Sequence, residues 1–259
     1  MKKSKIAVLV AMVVVLAFSL AACGGSDKSS SDKTVYKVGT EPTFPPFDTT
    51  DEDQNIVGLD MDLIKAIGED QGFDVEFENL SFDGLIPALK AGNIDIVAAG
   101  MNKDDEGRQK EVDFSDSYYE SKLFVAVTED NTTIKSVEDL TPDMKVAAQT
   151  GTTGASKVKE LKDAGKIKEA VILDGLDTCM MKLINGDVSA VINDKPVTEA
   201  YMKKQPDKIK MVGEALNAEN YGFAVQKGNA ELVEKINNGL KNIKENGTYD
   251  KLVDEWFNK

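Results

Sequence analysis

The 259-residue chain has no histidine, one arginine, two cysteines and one tryptophan. Without imidazole there is no Ser-His or Cys-His nucleophile and no histidine metal site, which weakens any hydrolase reading. With 31 basic and 45 acidic residues the formal charge is −14, the wrong sign for a nucleic-acid or anionic-membrane partner. Cys23 sits in an N-terminal targeting segment and Cys179 in the helical-looking "LDTCMMKLING". No intramolecular disulfide is expected, and Cys179 reads as a small buried apolar residue. No catalytic residue, metal or cofactor is expected.

The targeting segment is legible by its parts. Lys2, Lys3 and Lys5 precede the apolar run "IAVLVAMVVVLAFSL" (6–20), which ends in small residues and runs into "LAAC". The run is short for a membrane span. An ordinary cleavage site or an uncleaved anchor would also fit, but the polar tail "GGSDKSSSDK" (24–33) favours a lipoprotein signal of residues 1–22 cut before a lipidated Cys23. Gly/Ser composition with alternating charge makes 23–33 a flexible tether reaching on the order of 20 Å.

From residue 35, short strands alternate with helices: "YKVGTE", "LDMDLIKAIGEDQG", "DVEFENL", "FDGLIPALKAGN", "IDIVAAG", and later "KVAAQTG", "GASKVKELKDAG", "AVILDG", "LDTCMMKLINGD", "VSAVIND". This rhythm predicts an α/β fold with mainly parallel sheets. "LKAGNIDIVAAG" and "LINGDVSAVIND" echo each other, which suits two similar lobes better than one continuous sheet. The terminal "ELVEKINNGLKNIKENGTYDKLVDEWF" predicts two helices broken at Asn246-Gly247, with Trp256 and Phe257 assigned to core.

In open parallel sheets ligands bind beyond the carboxyl ends of the strands. Those ends carry Glu41, Gly100 to Asn102, Gln149, and Asn193-Asp194. Arg108, the lone arginine among lysines, sits in "GMNKDDEGRQKEVDFSDSYY". It is either drift in a charged surface loop or a planar fork kept for a carboxylate. "TGTTG" (150–154) is either an anion site at a helix N-terminus or a routine cap by Thr152 or Thr153. It lacks the lysine of a phosphate P-loop. Phe44 and Phe47 of "FPPFD" and Phe82 of "SFDG" are either stacking platforms or core plugs. Together these groups would satisfy a carboxylate-plus-ammonium zwitterion, whose two charges must each be paired if buried.

At these residues the chain closely resembles the amino-acid-binding family of periplasmic solute-binding proteins, which deliver substrates to ABC importers. The resemblance covers essentially all of 35–259. It rests on "GTEPTFPPFD", "GLDMDLIKAIG", "SFDGLIPALKAGNIDIVAAGM", "EGRQKEVDFSDSYY", "VAAQTGTTG", "GDVSAVINDKP", "YGFAVQKG" and "NGTYDKLVDEWF", in that order. The resemblance implies a two-lobed type II periplasmic-binding-protein fold. Each lobe would be a mainly parallel sheet flanked by helices, joined to the other by two crossover strands. Lobe 1 would take 34–118 plus 222–259 and lobe 2 would take 122–217, with the hinge near 118–122 and 217–221.

By the same resemblance Arg108 holds the ligand α-carboxylate, helped by Thr152 and Thr153, and Asp194 takes the α-ammonium, assisted by Gly100 and Asn102. Phe44 and Phe82 sandwich the side chain, while Glu41, Gln149 and Asn193 stand where selectivity is set. One residue more than the usual spacing separates Gly100 from Arg108, so that loop is expected to bulge.

The function implied is capture of a polar L-amino acid (lysine, arginine or glutamine, with a lean toward basic) by a monomeric, non-enzymatic receptor. The receptor would be lipid-anchored on the extracytoplasmic face of a bacterial cell membrane and would feed an ABC permease. An alternative is a cyclohexadienyl-type dehydratase on the same fold, with Glu41 as general acid. A third is a ligand-sensing ectodomain, which calls for a transmembrane or signalling segment beyond Lys259.

Overall fold

The computed structural model describes residues 33–258. The expected signal peptide, Cys23 and nearly all of the tether lie outside the described residues.

Two five-stranded sheets organise the chain. The first runs in the order β4 (Phe73–Asn79), β1 (Thr34–Thr40), β5 (Ile96–Val97), β12 (Ala224–Gln226), β6 (Val112–Phe114). Its β1 pairs parallel with β4 and β5, and β12 pairs antiparallel with β5 and β6. The second runs β11 (Ile209–Tyr221), β7 (Tyr119–Thr128), β10 (Ala190–Asp194), β8 (Lys145–Gln149), β9 (Glu169–Leu173). There β8 pairs parallel with β9 and β10, and β7 pairs antiparallel with β10 and β11. The small pair β2 (Thr49–Thr50) and β3 (Ile56–Val57) stands apart.

Helices fill the connections: α1 (Leu59–Gln71), α2 (Phe82–Ala91), α3 (Glu106–Glu111), α4 (Thr153–Asp163), α5 (Leu176–Ile184), α6 (Lys195–Lys204), α7 (Ala230–Glu245) and α8 (Thr248–Phe257). In α1 the apolar positions Leu59, Leu63, Ile64 and Ile67 share one face and are fully buried, as the 3.6-residue period requires. Each such side chain contributes roughly 1.5–3 kcal/mol of transfer free energy. The two C-terminal helices break at Gly247, where φ is 79°. Trp256 and Phe257 are partly buried against the core, and the Trp256 indole donates to Asp62 Oδ2 at 2.8 Å.

The sequence echo falls at equivalent places: α2 leads into β5 and α5 into β10, each the inner parallel strand of its sheet. Within the second sheet, β7 and β11 form one antiparallel ribbon, Tyr221 opposite Tyr119, Glu219 opposite Ser121 and Asn217 opposite Leu123. Side chains of a strand alternate in direction. Ser121 and Glu219 therefore share one ribbon face with Tyr119 and Tyr221.

Candidate functional site

Arg108 is fixed by its own short helix. Asp105 caps α3 by accepting the Arg108 backbone N–H at 2.9 Å. Between Gly100 and Arg108 the chain makes a turn at Lys103–Asp104, where the Asn102 side-chain oxygen accepts from the Asp104 N–H at 3.0 Å. Asn102 therefore spends its amide on the turn, and its carbonyl accepts from Arg108 Nη1 at 3.1 Å. Arg108 Nη2 donates to the Gly151 carbonyl at 2.9 Å. Asn102 precedes β6 of the first sheet and Gly151 follows β8 of the second, so one guanidinium ties both lobes. Its plane lies over the Phe82 ring, 5.4 Å from the centroid, a cation–π contact. Burial acts to lower the Arg108 pKa, and Asp105, Glu219, Asp194 and Tyr221 oppose it. The group stays charged.

The "TGTTG" turn begins α4. Thr152 Oγ1 accepts from the Ala155 N–H at 3.0 Å and donates to the Gln149 carbonyl at 2.7 Å. Thr152 is thus the helix cap, which leaves the Thr153 and Gly154 N–H groups as the first-turn donors without intrahelical acceptors.

Asp194 ends β10 and is buried. Its Oδ1 accepts from Ser121 Oγ at 3.0 Å and from the Tyr221 hydroxyl at 2.5 Å. Burial first, then the nearby Glu219, push its carboxyl well above the usual range. The Tyr221 phenol is raised by burial and then by Asp194, so it remains a donor.

Gly100 adopts φ 52°, and a Cβ there would lie 2.7 Å from the Phe44 ring. Only glycine meets both conditions without strain. The Gly100 N–H donates to Asp60 Oδ2 at 2.8 Å, and Tyr118 donates to the same oxygen at 2.7 Å. Asp60 Oδ1 has no partner although fully buried, and the fully buried Asp48 lies beside the Thr40 hydroxyl and the Phe44 backbone. Burial raises the Asp60 pKa to about 7, and raises Asp48 well above its usual value.

A narrow cavity of about 10 Å³ collects Phe44, Phe82, Gly100, Asn102, Arg108, Gln149, Thr152, Thr153 and Asp194. Phe44 and Phe82 are 8 and 9 % exposed, so each serves at once as core plug and cavity wall. Two expected site residues are not in the lining. Asn193 points the other way from Asp194 because adjacent strand residues alternate, and its amide lies 3.3 Å from Thr198 Oγ1. Glu41 sits behind Gln149, accepting its amide at 2.7 Å and the Thr43 hydroxyl at 2.8 Å. Burial raises the Glu41 pKa against both bonds.

Glu219 was missed, although it lines the same cavity and is 2 % exposed. It lies in "NAENYGF", within a stretch read only as hinge. Its spacing of two from Tyr221 was the available signal. A larger, more open groove lined by Pro45, Pro46, Met202, Trp256 and Phe257 offers apolar surface without a buried charge pair, so the smaller cavity is the better candidate.

A cleft between two α/β lobes, with a guanidinium and a carboxylate at one cavity, defines a binding protein for a small polar solute. The family of bacterial extracellular solute-binding proteins, family 3, matches residues 36–259, and the chain belongs to it. An arginine-binding extracellular protein of Bacillus subtilis is 33 % identical over 251 residues, covering 96 % of each chain. An ABC transporter arginine-binding protein of Escherichia coli K12 is 34 % identical over 224 residues, covering 85 % of this chain and 89 % of the other. Among solved structures, an ancestral arginine-binding protein bound to arginine matches with TM-score 0.82 and 45 % identity, covering 87 % of this chain and 99 % of that one. The same kind of ancestral protein bound to glutamine matches with TM-score 0.80 and 45 % identity, covering 88 % and 99 %. An ancestral amino acid-binding protein, a precursor of cyclohexadienyl dehydratase, matches with TM-score 0.79 and 39 % identity, covering 86 % and 95 %. Among the described residues no helix is long and apolar enough to cross a membrane.

Proposed function

We propose that this chain captures a polar L-amino acid, basic or glutamine, in the cleft between its lobes and delivers it to an ABC importer. The reading rests on one observation above all: Arg108 and Asp194 line one cavity from opposite lobes. Arg108 and the α4 N-terminus, with Thr152 and Thr153, seat the α-carboxylate. Asp194 seats the α-ammonium, with Gly100 and Asn102 beside it. Phe44 and Phe82 flank the side chain. Gln149 and, behind it, Glu41 receive the polar end, where an ionised Glu41 suits a cationic or amide group. Arginine and glutamine in the similar ancestral structures support that range. The lobes are 34–118 plus 222–259 and 122–217, hinged near 118–122 and 217–221, and ligand binding stabilises the closed form by linkage.

The protein performs no chemistry of its own. The relatives' printed roles support this, including that of the dehydratase precursor, which is itself an amino-acid binder. It is anchored by lipid at Cys23 after removal of 1–22, on the outer face of the cell membrane, as a monomer. The test is a thermal-shift screen of the purified protein against the common L-amino acids, with Arg108→Lys and Asp194→Asn alongside. One or two amino acids should raise the melting temperature in the wild type and in neither variant. No shift with any amino acid would overturn the reading. Incorporation of labelled palmitate, lost in Cys23→Ala, tests the anchor.

A further inference from the structure

Glu41, Thr43 and Phe44 lie in one turn after β1, a stretch stiffened by Pro42, Pro45 and Pro46. Phe44 is a wall of the cavity, and every polar group of Thr43 is engaged. Its N–H donates to the Glu41 carbonyl at 2.8 Å, and its hydroxyl donates to Glu41 Oε2 at 2.8 Å. The hydroxyl oxygen accepts from the Leu176 N–H at 3.3 Å, and the Thr43 carbonyl accepts from the Tyr201 hydroxyl at 3.1 Å. Leu176 opens α5 and Tyr201 lies on α6, both helices of the second lobe. Two of the four bonds therefore cross the cleft. The Leu176 N–H is one of the donors that a helix start leaves without an internal acceptor. Here the acceptor comes from the opposite lobe.

Gln149 reaches the same acid from the second lobe. Its Nε2 donates to Glu41 Oε2 at 2.7 Å and to the Asp174 carbonyl at 3.0 Å. Both side-chain donors on Glu41 thus fall on Oε2, and the amide of Gln149 spends its N–H groups within the protein. With Glu41 ionised, Glu41 Oε1 and Gln149 Oε1 are acceptors, which suits a ligand group that donates. Opening the cleft would take away Gln149, Leu176 and Tyr201 together, leaving Glu41 with Thr43 as its side-chain partner.

We propose that Thr43 is a positioning residue for the side-chain end of the ligand, and that its bonds to Tyr201 and Leu176 are a second clasp between the lobes. The first clasp, through Arg108 and the Gly151 carbonyl, lies at the carboxylate end. The second holds the polar end, where the same threonine orients Glu41 and fastens α5 and α6. Recognition of the side chain and closure of the lobes then share one set of hydrogen bonds. A bound ligand leaves only after the clasp breaks. This rests on the amino-acid reading above.

The test is calorimetry and a dissociation-rate measurement with the tighter binder of L-arginine and L-glutamine. Wild type, Tyr201→Phe, Thr43→Val and Thr43→Ser are compared, and each ligand-free melting temperature reports whether the fold is kept. Tyr201→Phe removes one hydroxyl at the clasp. Its affinity should fall about two- to tenfold, through faster dissociation at an unchanged association rate. Thr43→Val keeps the shape and loses the hydroxyl, and should bind at least about tenfold more weakly for two lost bonds. Thr43→Ser should recover most of that loss. A folded Tyr201→Phe that releases the ligand at the wild-type rate overturns the clasp, whatever the Thr43 variants do. Thr43→Ser as weak as Thr43→Val overturns the positioning role of the hydroxyl. If the wild type binds neither amino acid, the reading of the cleft falls, and this inference with it.

Discussion

The two lobes are built alike and furnished differently. Read from the outer parallel strand inward, the first sheet is β4-β1-β5, then β12 antiparallel to both its neighbours, then β6, and the second is β9-β8-β10, then β7 antiparallel to both its neighbours, then β11. The same plan puts loop residues at the same edge of each lobe. The first lobe contributes the cation and the aromatics: Arg108, Phe44 and Phe82. The second contributes the acid and a helix N-terminus: Asp194 and α4. On the proposed reading each ligand charge meets both lobes, the carboxylate through Arg108 and α4, the ammonium through Gly100 and Asp194. On that reading neither lobe completes a seat alone, and binding and closure are coupled.

The lobes differ beneath the site as well. Under Gly100 the first lobe buries Asp60 with one unpartnered oxygen, whereas the buried Asn193, Asp194 and Thr198 of the second lobe are hydrogen-bonded. The first lobe accepts a cost in burial to hold Gly100 and Tyr118 through one carboxylate.

These contrasts can be broken one at a time. The largest effect is expected from Arg108→Ala, which removes the first lobe's half of the carboxylate seat. Affinity for the preferred amino acid should fall by about 2–5 kcal/mol, roughly thirtyfold to several thousandfold, by calorimetry, with the unliganded fold retained by circular dichroism. Next comes the buried acid. Asp60 is raised to about 7 in the fold, so its protonated form is favoured there. The stability this gives is present at pH 4 and lost as pH rises through 7. Asp60 alone should weaken stability to urea by on the order of 2–3 kcal/mol between pH 5 and pH 8, and Asp60→Asn should remove that share of the slope while the raised Asp48, Asp194 and Glu41 keep theirs. Gly100→Ala should cost about 1–2 kcal/mol of stability from its left-handed backbone, and should lower affinity by moving Phe44. Trp256→Phe, which loses one indole bond to Asp62, should cost no more than about 1 kcal/mol.

Much of this plan was legible in the residues. Strand-helix alternation and the ends of parallel strands point to Gly100, Asn102, Gln149 and Asp194, while Arg108, Thr152, Thr153, Phe44 and Phe82 are assigned by the family resemblance. The rest depended on direction and depth. Asn193 and Asp194 are neighbours on one strand and cannot both face the cleft, a consequence of alternation that residue type conceals. Asp60 lies in the first turn of an amphipathic helix, where an acid is usually read as a favourable partner of the helix dipole. Only packing shows that Asp60 is inside. Glu219 becomes visible when β11 pairs with β7 and brings it opposite Ser121, a contact across 98 residues of sequence that no local pattern encodes.

The most direct test of the central claim is calorimetry of the amino acid that stabilises the protein best, set against its decarboxylated and its deaminated analogues. The account predicts that losing either charged group costs at least a hundredfold in affinity, because each is paired from both lobes. An analogue lacking its carboxylate or its ammonium that bound as tightly as the parent would contradict it.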